Sequence, residues 1–180
     1  MRIILIYGTV EGQTKKITEH MADQFKSKGH DVDIVEAAAE AAEVPDLSSA
    51  QAVVVAASVH QKAHNEAVVD FVLAHKATLS ERPGAFISVS LAVALPIDGI
   101  REAEGYITDF IRDTGWTPTS TLPVAGALKY DEYDFFKQQI VKFLVMQKGM
   151  DVAPGEDHEF TDWAAVDQFS DAFLETVQAG

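Results

Sequence analysis

Short apolar runs alternate with longer segments of helical period along most of this chain. The apolar runs cover residues 3–7, 32–35, 52–57, 84–89 and 121–125, and the helical segments cover residues 14–28, 64–79, 99–113 and the stretch after residue 161. A strand buried on both faces is a continuous apolar run, and strands that alternate with helices form βαβ units around a parallel sheet. The sequence therefore predicts an α/β fold with a doubly wound, five-stranded parallel sheet.

The length of 180 residues fits a single domain that spans residues 1–180. Residues 126–158 break the alternation, and we interpret them as an insertion near the last strand. Apolar residues recur there at helical spacing, namely Phe136, Ile140, Phe143 and Leu144. An inserted amphipathic helix between glycines predicts a lid over a substrate or acceptor.

Charge and cysteine content narrow the possible functions. The 28 acidic and 14 basic residues give a net charge of −14, which repels nucleic acid and allows at most peripheral association with an anionic membrane. The absence of cysteine excludes thiol nucleophiles and cysteine-ligated metals, so redox chemistry would need a bound cofactor. The apolar N-terminal run is too short for a signal peptide or a membrane span, and we expect a cytoplasmic protein.

Residues 8–14, Gly-Thr-Val-Glu-Gly-Gln-Thr, connect the first strand to the first helix. Such a turn points successive backbone N–H groups at one spot, where the helix N-terminus adds roughly half a positive charge. A P-loop would need one more residue between its glycines and a lysine in place of Gln13, and a dinucleotide fold would need Gly-x-Gly-x-x-Gly. The turn therefore predicts a site for a single phosphate group.

Histidines and carboxylates give no further chemical site. His60 and His64 have a spacing that could bind a metal on one helix, but the sequence offers no evident third ligand. We therefore predict no metal site and assign no catalytic acid or base.

The glycine turn resembles the FMN phosphate loop of the flavodoxins, with Thr9, Gly12 and Thr14 at its hydroxyl and glycine positions. Gly8 departs from that pattern, in which a hydroxyl residue is usual, and this implies one side-chain hydrogen bond fewer. The chain is still more similar to the bacterial menaquinone-dependent protoporphyrinogen IX oxidases, from residue 1 to about residue 173. The matching segments are Glu11-Gly12-Gln13-Thr14, Ala57-Ser58-Val59-His60 with His64, Ala85-Phe86-Ile87-Ser88-Val89-Ser90-Leu91, Ala125-Gly126-Ala127-Leu128-Lys129-Tyr130 and Thr161-Asp162-Trp163.

This resemblance implies that FMN lies across the carboxyl ends of the strands. The implied cofactor-binding residues are Thr9, Val10, Glu11, Gly12, Gln13 and Thr14 around the phosphate, Ser58, Val59, His60 and His64 on one side of the isoalloxazine ring, and Ser88, Val89, Ser90, Leu91 and Ala92 on the other. Neither ring loop carries a tryptophan or tyrosine. The resemblance further implies oxidation of a porphyrinogen, in heme biosynthesis, with a quinone-type acceptor and the flavin as the redox centre.

Two alternatives remain open. The acidic charge also fits a flavodoxin-type electron carrier that docks on a redox protein, and Gly8 leaves room for a flavin-free interaction domain. The insertion reads Lys-Tyr-Asp-Glu-Tyr-Asp-Phe-Phe over residues 129–136, where related oxidases are basic. This reversal of charge predicts slow capture of a dianionic porphyrinogen.

Overall fold

The computed structural model describes residues 1–40, 44–95, 98–128 and 158–179. The strands are β1 (Arg2–Gly8), β2 (Asp31–Glu36), β3 (Ala52–His60), β4 (Ala63–His64), β5 (Gly84–Ser90), β6 (Ser120–Ala125), β7 (Ala127–Leu128) and β8 (His158–Glu159). The α-helices are α1 (Gln13–Ser27), α2 (Glu66–Ser80), α3 (Gly99–Thr114) and α4 (Trp163–Ala179), and 3₁₀ turns cover Leu47–Ser49 and Leu91–Ala94.

Five strands form a parallel sheet in the order β2-β1-β3-β5-β6. In its centre Leu5 pairs with Ile34 on one side and with Val54 on the other. The strand order reverses direction between β1 and β3, and this is where doubly wound folds bind ligands, outside the carboxyl ends of the strands. The predicted five-stranded doubly wound sheet is confirmed.

Two apolar layers cover the sheet because successive side chains of each strand point to opposite faces. Leu5 packs with α1 and α4 through residues such as Phe25 and Phe173. Ile6 packs on the opposite face, with residues of α2 and α3 such as Phe71 and Phe110. The apolar faces of α1 and α4 lie against the sheet, with Phe169 and Val177 only partly buried.

The predicted helix over residues 64–79 begins later, at Glu66. Residues 63–64 instead pair back on β3, with Val59 opposite His64 and His60 opposite Ala63. Gln61 and Lys62 make the turn with positive φ angles of 49° and 67°. A two-residue hairpin with two positive φ angles normally uses Asn-Gly, so the sequence carried no signal for it.

The insertion is described only at its ends. β7 lies at its beginning and β8 at its end, and the two strands pair in antiparallel fashion, with Leu128 opposite His158. Residues 129–157, with the predicted apolar helix and lid, lie outside the described residues, as do residues 41–43. Over the part of the chain that is described, no helix is both long and apolar enough to cross a membrane.

Candidate functional site

The glycine turn, residues 8–14, lies at the carboxyl end of β1 and begins α1. Gly12 has φ +89°, a left-handed conformation that glycine adopts without steric cost. Its N–H donates to Thr9 Oγ1 at 2.9 Å, and its carbonyl accepts the N–H of Lys16 in the first helical turn. The turn therefore presents the N-terminus of α1 to the sheet edge.

A cavity of about 50 Å³, the turn cavity, opens where the glycine turn meets the ends of β3, β5 and β6. It brings together most of the predicted cofactor-binding residues. Its lining consists of Thr9, Val10, Glu11, Gln13, Thr14, Ser58, Val59, His60, Val89, Ser90, Leu91, Gly126 and Ala127. The sequence analysis assigned no role to Gly126 and Ala127, although their position directly after the last parallel strand places them at the ligand edge of such a sheet.

Hydroxyl groups of three residues that line the turn cavity are buried. Thr14 Oγ1, Ser58 Oγ and Ser90 Oγ make no hydrogen bond to any residue that the structure describes. Buried polar atoms without a partner are rare in folded proteins, since each costs about 1–3 kcal/mol. Three of them around one cavity at a helix N-terminus fit a polar, anionic ligand group.

A second cavity of about 340 Å³, the side cavity, adjoins the first and shares Val59, His60, Ser90 and Leu91 with it. Its other lining residues are Gln61, Lys62, Ala92, Leu95, Glu102 and Tyr106. Tyr106 donates its hydroxyl to Glu102 Oε1 at 2.6 Å, and burial, reinforced by Glu102, raises the pKa of Tyr106. Tyr106 of α3 thus contributes an aromatic ring to the site. The sequence analysis missed this residue because it lies outside both predicted ring loops.

His64 and Ser88 were predicted on opposite sides of a flavin ring, and the structure joins them. His64 Nε2 lies 2.9 Å from Ser88 Oγ. The imidazole is surrounded by Phe86, Tyr106 and Phe110, with ring centroids 5.1–6.5 Å away. Burial lowers the pKa of His64 to about 4, only partly opposed by Asp109, so the ring is neutral at pH 7.

Neither His64 nor Ser88 lines the turn cavity or the side cavity. Their hydrogen bond instead connects the segment after β3 to the end of β5, whose neighbouring residues line the cavities. Among the described residues no group of three or more histidines and carboxylates could hold a metal ion.

The segment after the insertion holds the glycine turn in place. Thr161 Oγ1 donates to the carbonyl of Ala125 at 2.8 Å and accepts from Gln13 Nε2 at 2.9 Å. Asp162 Oδ1 accepts the N–H of Ala165 and so caps α4. The Thr161-Asp162-Trp163 motif therefore has a structural role, because it connects the glycine turn, the end of β6 and the beginning of α4.

Two known proteins are similar to this chain over most of its length. Protoporphyrinogen IX dehydrogenase (quinone) of Escherichia coli K12 is 27% identical over 170 residues, which cover 94% of this chain and 93% of that protein. The protein of the same name from Leishmania major is 28% identical over 176 residues, covering 96% of this chain and 74% of that protein. The resemblance inferred from the sequence motifs is confirmed.

Solved flavodoxin structures share the fold. An archaeal flavodoxin superposes with a TM-score of 0.55 at 17% identity, covering 99% of both chains. The flavodoxin of Streptococcus pneumoniae TIGR4 superposes with a TM-score of 0.59 at 15% identity, covering 98% of this chain and 99% of that one. Residues 4–152 match the family described as flavodoxin domain. Because that match spans most of the chain, the protein belongs to the flavodoxin domain family.

Proposed function

We propose that this chain binds FMN and oxidises a porphyrinogen with a quinone-type acceptor. The observation that carries the cofactor assignment is the group of hydroxyls on Thr14, Ser58 and Ser90 around the turn cavity, which have no partner among the described residues. Hydroxyls and a helix N-terminus are the donors that a phosphate monoester needs. FMN ends in such a group, and membership of the flavodoxin family supports a flavin there.

The two cavities suit the two ends of this cofactor. The phosphate would contact Thr9, Gln13 and Thr14, while the ring would extend between residues 58–60 and 89–92. Bound FMN would supply the redox chemistry by accepting two electrons from the substrate and passing them on. The chain's own residues would bind and orient it, and Tyr106 would offer an aromatic face beside the side cavity.

The neutral imidazole of His64 fits a positioning role. A histidine with a pKa of about 4 cannot carry a proton at pH 7, and it lies outside both cavities. It would hold the end of β5 through Ser88 and so fix the loop that continues from Ser90. We therefore assign the reaction no acid or base from this chain.

The proposed substrate rests on the named relatives and on the chemistry of the side cavity. The relatives act, by name, on protoporphyrinogen IX with a quinone. Around the proposed flavin ring, the side cavity offers apolar side chains from Val59, Leu91 and Leu95, against which a second apolar ring could pack, and its described lining includes the cation of Lys62. A carboxylate on the substrate could pair with Lys62.

The acidic surface supports one further candidate, an electron carrier for a protein partner. A net charge of −14 favours docking on a basic redox protein. The named relatives act on a porphyrinogen with a quinone, and for this reason we place the oxidase first.

An anaerobic assay separates these functions. The purified protein should show flavin absorbance, and acid release followed by chromatography should identify FMN. Addition of protoporphyrinogen should bleach the flavin, and a soluble quinone should restore its colour while protoporphyrin fluorescence grows. Bleaching by a reduced partner protein but not by protoporphyrinogen would identify a carrier, and a protein that cannot be loaded with any flavin would contradict both.

A further inference from the structure

The end of β1 and the start of α2 approach closely at Gly8. A Cβ atom on Gly8 would lie 2.4 Å from Val68 Cγ2, 2.6 Å from Asn65 Oδ1 and 2.8 Å from Asn65 Cγ. Contacts under 3.0 Å are not tolerated by real Cβ atoms. The amide of Asn65 therefore fills the space that a side chain at residue 8 would need, at the beginning of the glycine turn.

The side chain of Asn65 is not used for the helix it precedes. Asparagine is among the best N-cap residues because its side chain accepts an N–H of the first turn. Asn65 occupies the N-cap position of α2, yet its side chain makes no cap hydrogen bond. Its Oδ1 is buried and has no partner among the residues that the structure describes.

The backbone links Asn65 to a residue of the turn cavity, although Asn65 itself does not line that cavity. The N–H of Asn65 donates to the carbonyl of Ser58 at 2.9 Å. Ser58 lines the turn cavity and carries one of the three unpartnered hydroxyls. Asn65 Oδ1 is therefore a buried polar atom with no partner in the described part of the chain, packed against Gly8 at the start of the glycine turn and tied through the backbone to Ser58.

We propose that Asn65 is a phosphate-binding residue that takes the place of a side chain at position 8. This inference rests on the proposed binding of FMN. The two ends of an asparagine amide exchange by a rotation about χ2, and that rotation turns the Nδ2 donor to the side where Oδ1 lies. An N–H donated to a charged phosphate oxygen would then satisfy the buried group.

Flavin titrations of Asn65→Ala and Asn65→Asp test this assignment. FMN and riboflavin differ by the phosphate, and quenching of flavin fluorescence measures the affinity for each. We expect Asn65→Ala to weaken FMN binding roughly 10- to 100-fold, as loss of a hydrogen bond to a charged group does. Asn65→Asp should weaken it further because a carboxylate repels the phosphate. Riboflavin affinity should stay within about twofold of the wild type for both variants, because riboflavin has no phosphate for Asn65 to bind. Loss of a hydrogen bond would change the affinity by more than that.

The outcomes distinguish this inference from the proposed function. Wild-type FMN affinity in Asn65→Ala, or an equal loss for FMN and riboflavin, would overturn the role of Asn65 while FMN binding by the wild type stands. A wild type that binds neither flavin would overturn the proposed function and this inference together. Thermal unfolding of each variant shows whether the fold is intact.

A rescue variant tests directly whether a side chain at residue 8 can replace Asn65 as the phosphate contact. Asn65→Ala with Val68→Ala removes the three atoms that would meet a Cβ at residue 8. Adding Gly8→Ser to that double variant should restore FMN affinity toward the wild type, because a hydroxyl then occupies the vacated space. If the triple variant binds FMN no better than the double variant, residue 8 and Asn65 do not share a phosphate contact.

Discussion

His64 Nε2 lies 2.9 Å from Ser88 Oγ, and this contact joins the loop after β3 to the end of β5. Both residues sit behind the cavities, where three aromatic rings surround the imidazole. The two segments that border the turn cavity are thus held at a fixed separation by one buried, neutral pair. The protonation of His64 therefore couples the geometry of the site to pH.

Acid should destabilise the protein partly through His64. The pKa is about 4 in the folded state and 6.5 in an exposed histidine, so the unfolded chain binds a proton between these values and the folded chain does not. The contribution is fully present above pH 6.5 and is lost as the pH falls toward 4, by up to about 3 kcal/mol. Urea unfolding of the wild type and of His64→Gln at a series of pH values should show a shallower slope in the variant. Equal slopes, or an NMR titration of His64 near pH 6.5, would contradict this expectation.

Thr14→Ala should weaken FMN binding. Thr14 Oγ1 is a buried hydroxyl without a protein partner in the described part of the chain, and a hydrogen bond to a charged group is worth about 1.5–3 kcal/mol. The dissociation constant should therefore rise roughly 10- to 100-fold. Thr14→Ser is the matched control, since it keeps the hydroxyl and should stay near the wild type. An unchanged FMN titration for Thr14→Ala would remove this residue from the site.

Two glycine-to-alanine changes should have opposite effects on stability. Gly12 has φ +89°, so alanine there is strained, and we expect a loss of about 1 kcal/mol. Gly105 lies inside α3, where an added Cβ would meet no atom of another part of the protein within 4 Å, so alanine there should stabilise the protein by about 0.5–1 kcal/mol. Chemical unfolding of both variants measures the difference. A stabilised Gly12→Ala variant would show that the turn is not held in the left-handed conformation.

The glycine turn could be predicted because its signal is local. Its glycines and threonines follow a buried strand and begin a helix within a few residues, and the whole motif is visible in one stretch of sequence. The packing at Gly8 is different, since Val68 and Asn65 come from α2 and meet Gly8 only after the sheet and helix are assembled. The missing hydroxyl at residue 8 thus has a steric reason that no local pattern contains.

The hairpin at residues 60–63 was missed for a related reason. Its turn residues, Gln61 and Lys62, adopt positive φ angles without the Asn-Gly signal that usually marks them. Strain of this kind is maintained by surrounding structure and is common at ligand sites. Tyr106 was likewise hidden, because α3 brings it to the side cavity from a distant part of the chain.

Turnover of protoporphyrinogen should increase with moderate salt. The substrate would carry two carboxylates and the protein has a net charge of −14, so like charges slow their encounter. Raising the ionic strength to about 0.15 M shortens the screening length to roughly 8 Å and should raise kcat/KM. Flavin absorbance at each salt concentration controls for loss of cofactor. A steep fall of kcat/KM with salt would instead indicate a basic substrate site.

The ends of the insertion lie side by side, which makes a clean deletion possible. Leu128 pairs with His158 and Ala127 with Glu159 in antiparallel register. Replacing residues 129–157 by Asn-Gly would close these paired strands with a two-residue hairpin turn. Gln13, Thr161 and the cavity hydroxyls would all remain in the shortened protein.

The shortened protein should bind FMN with nearly wild-type affinity but lose turnover of protoporphyrinogen with a quinone. The reason is that the glycine turn lies outside the deleted segment, whereas a lid over an apolar ring needs the helical stripe that includes Phe136 and Phe143. FMN titration and the anaerobic assay measure the two properties separately. Loss of FMN or of cooperative unfolding would mean that the stripe belongs to the core and forms no lid. Full turnover in the shortened protein would place the substrate site outside the insertion, among the residues of the side cavity.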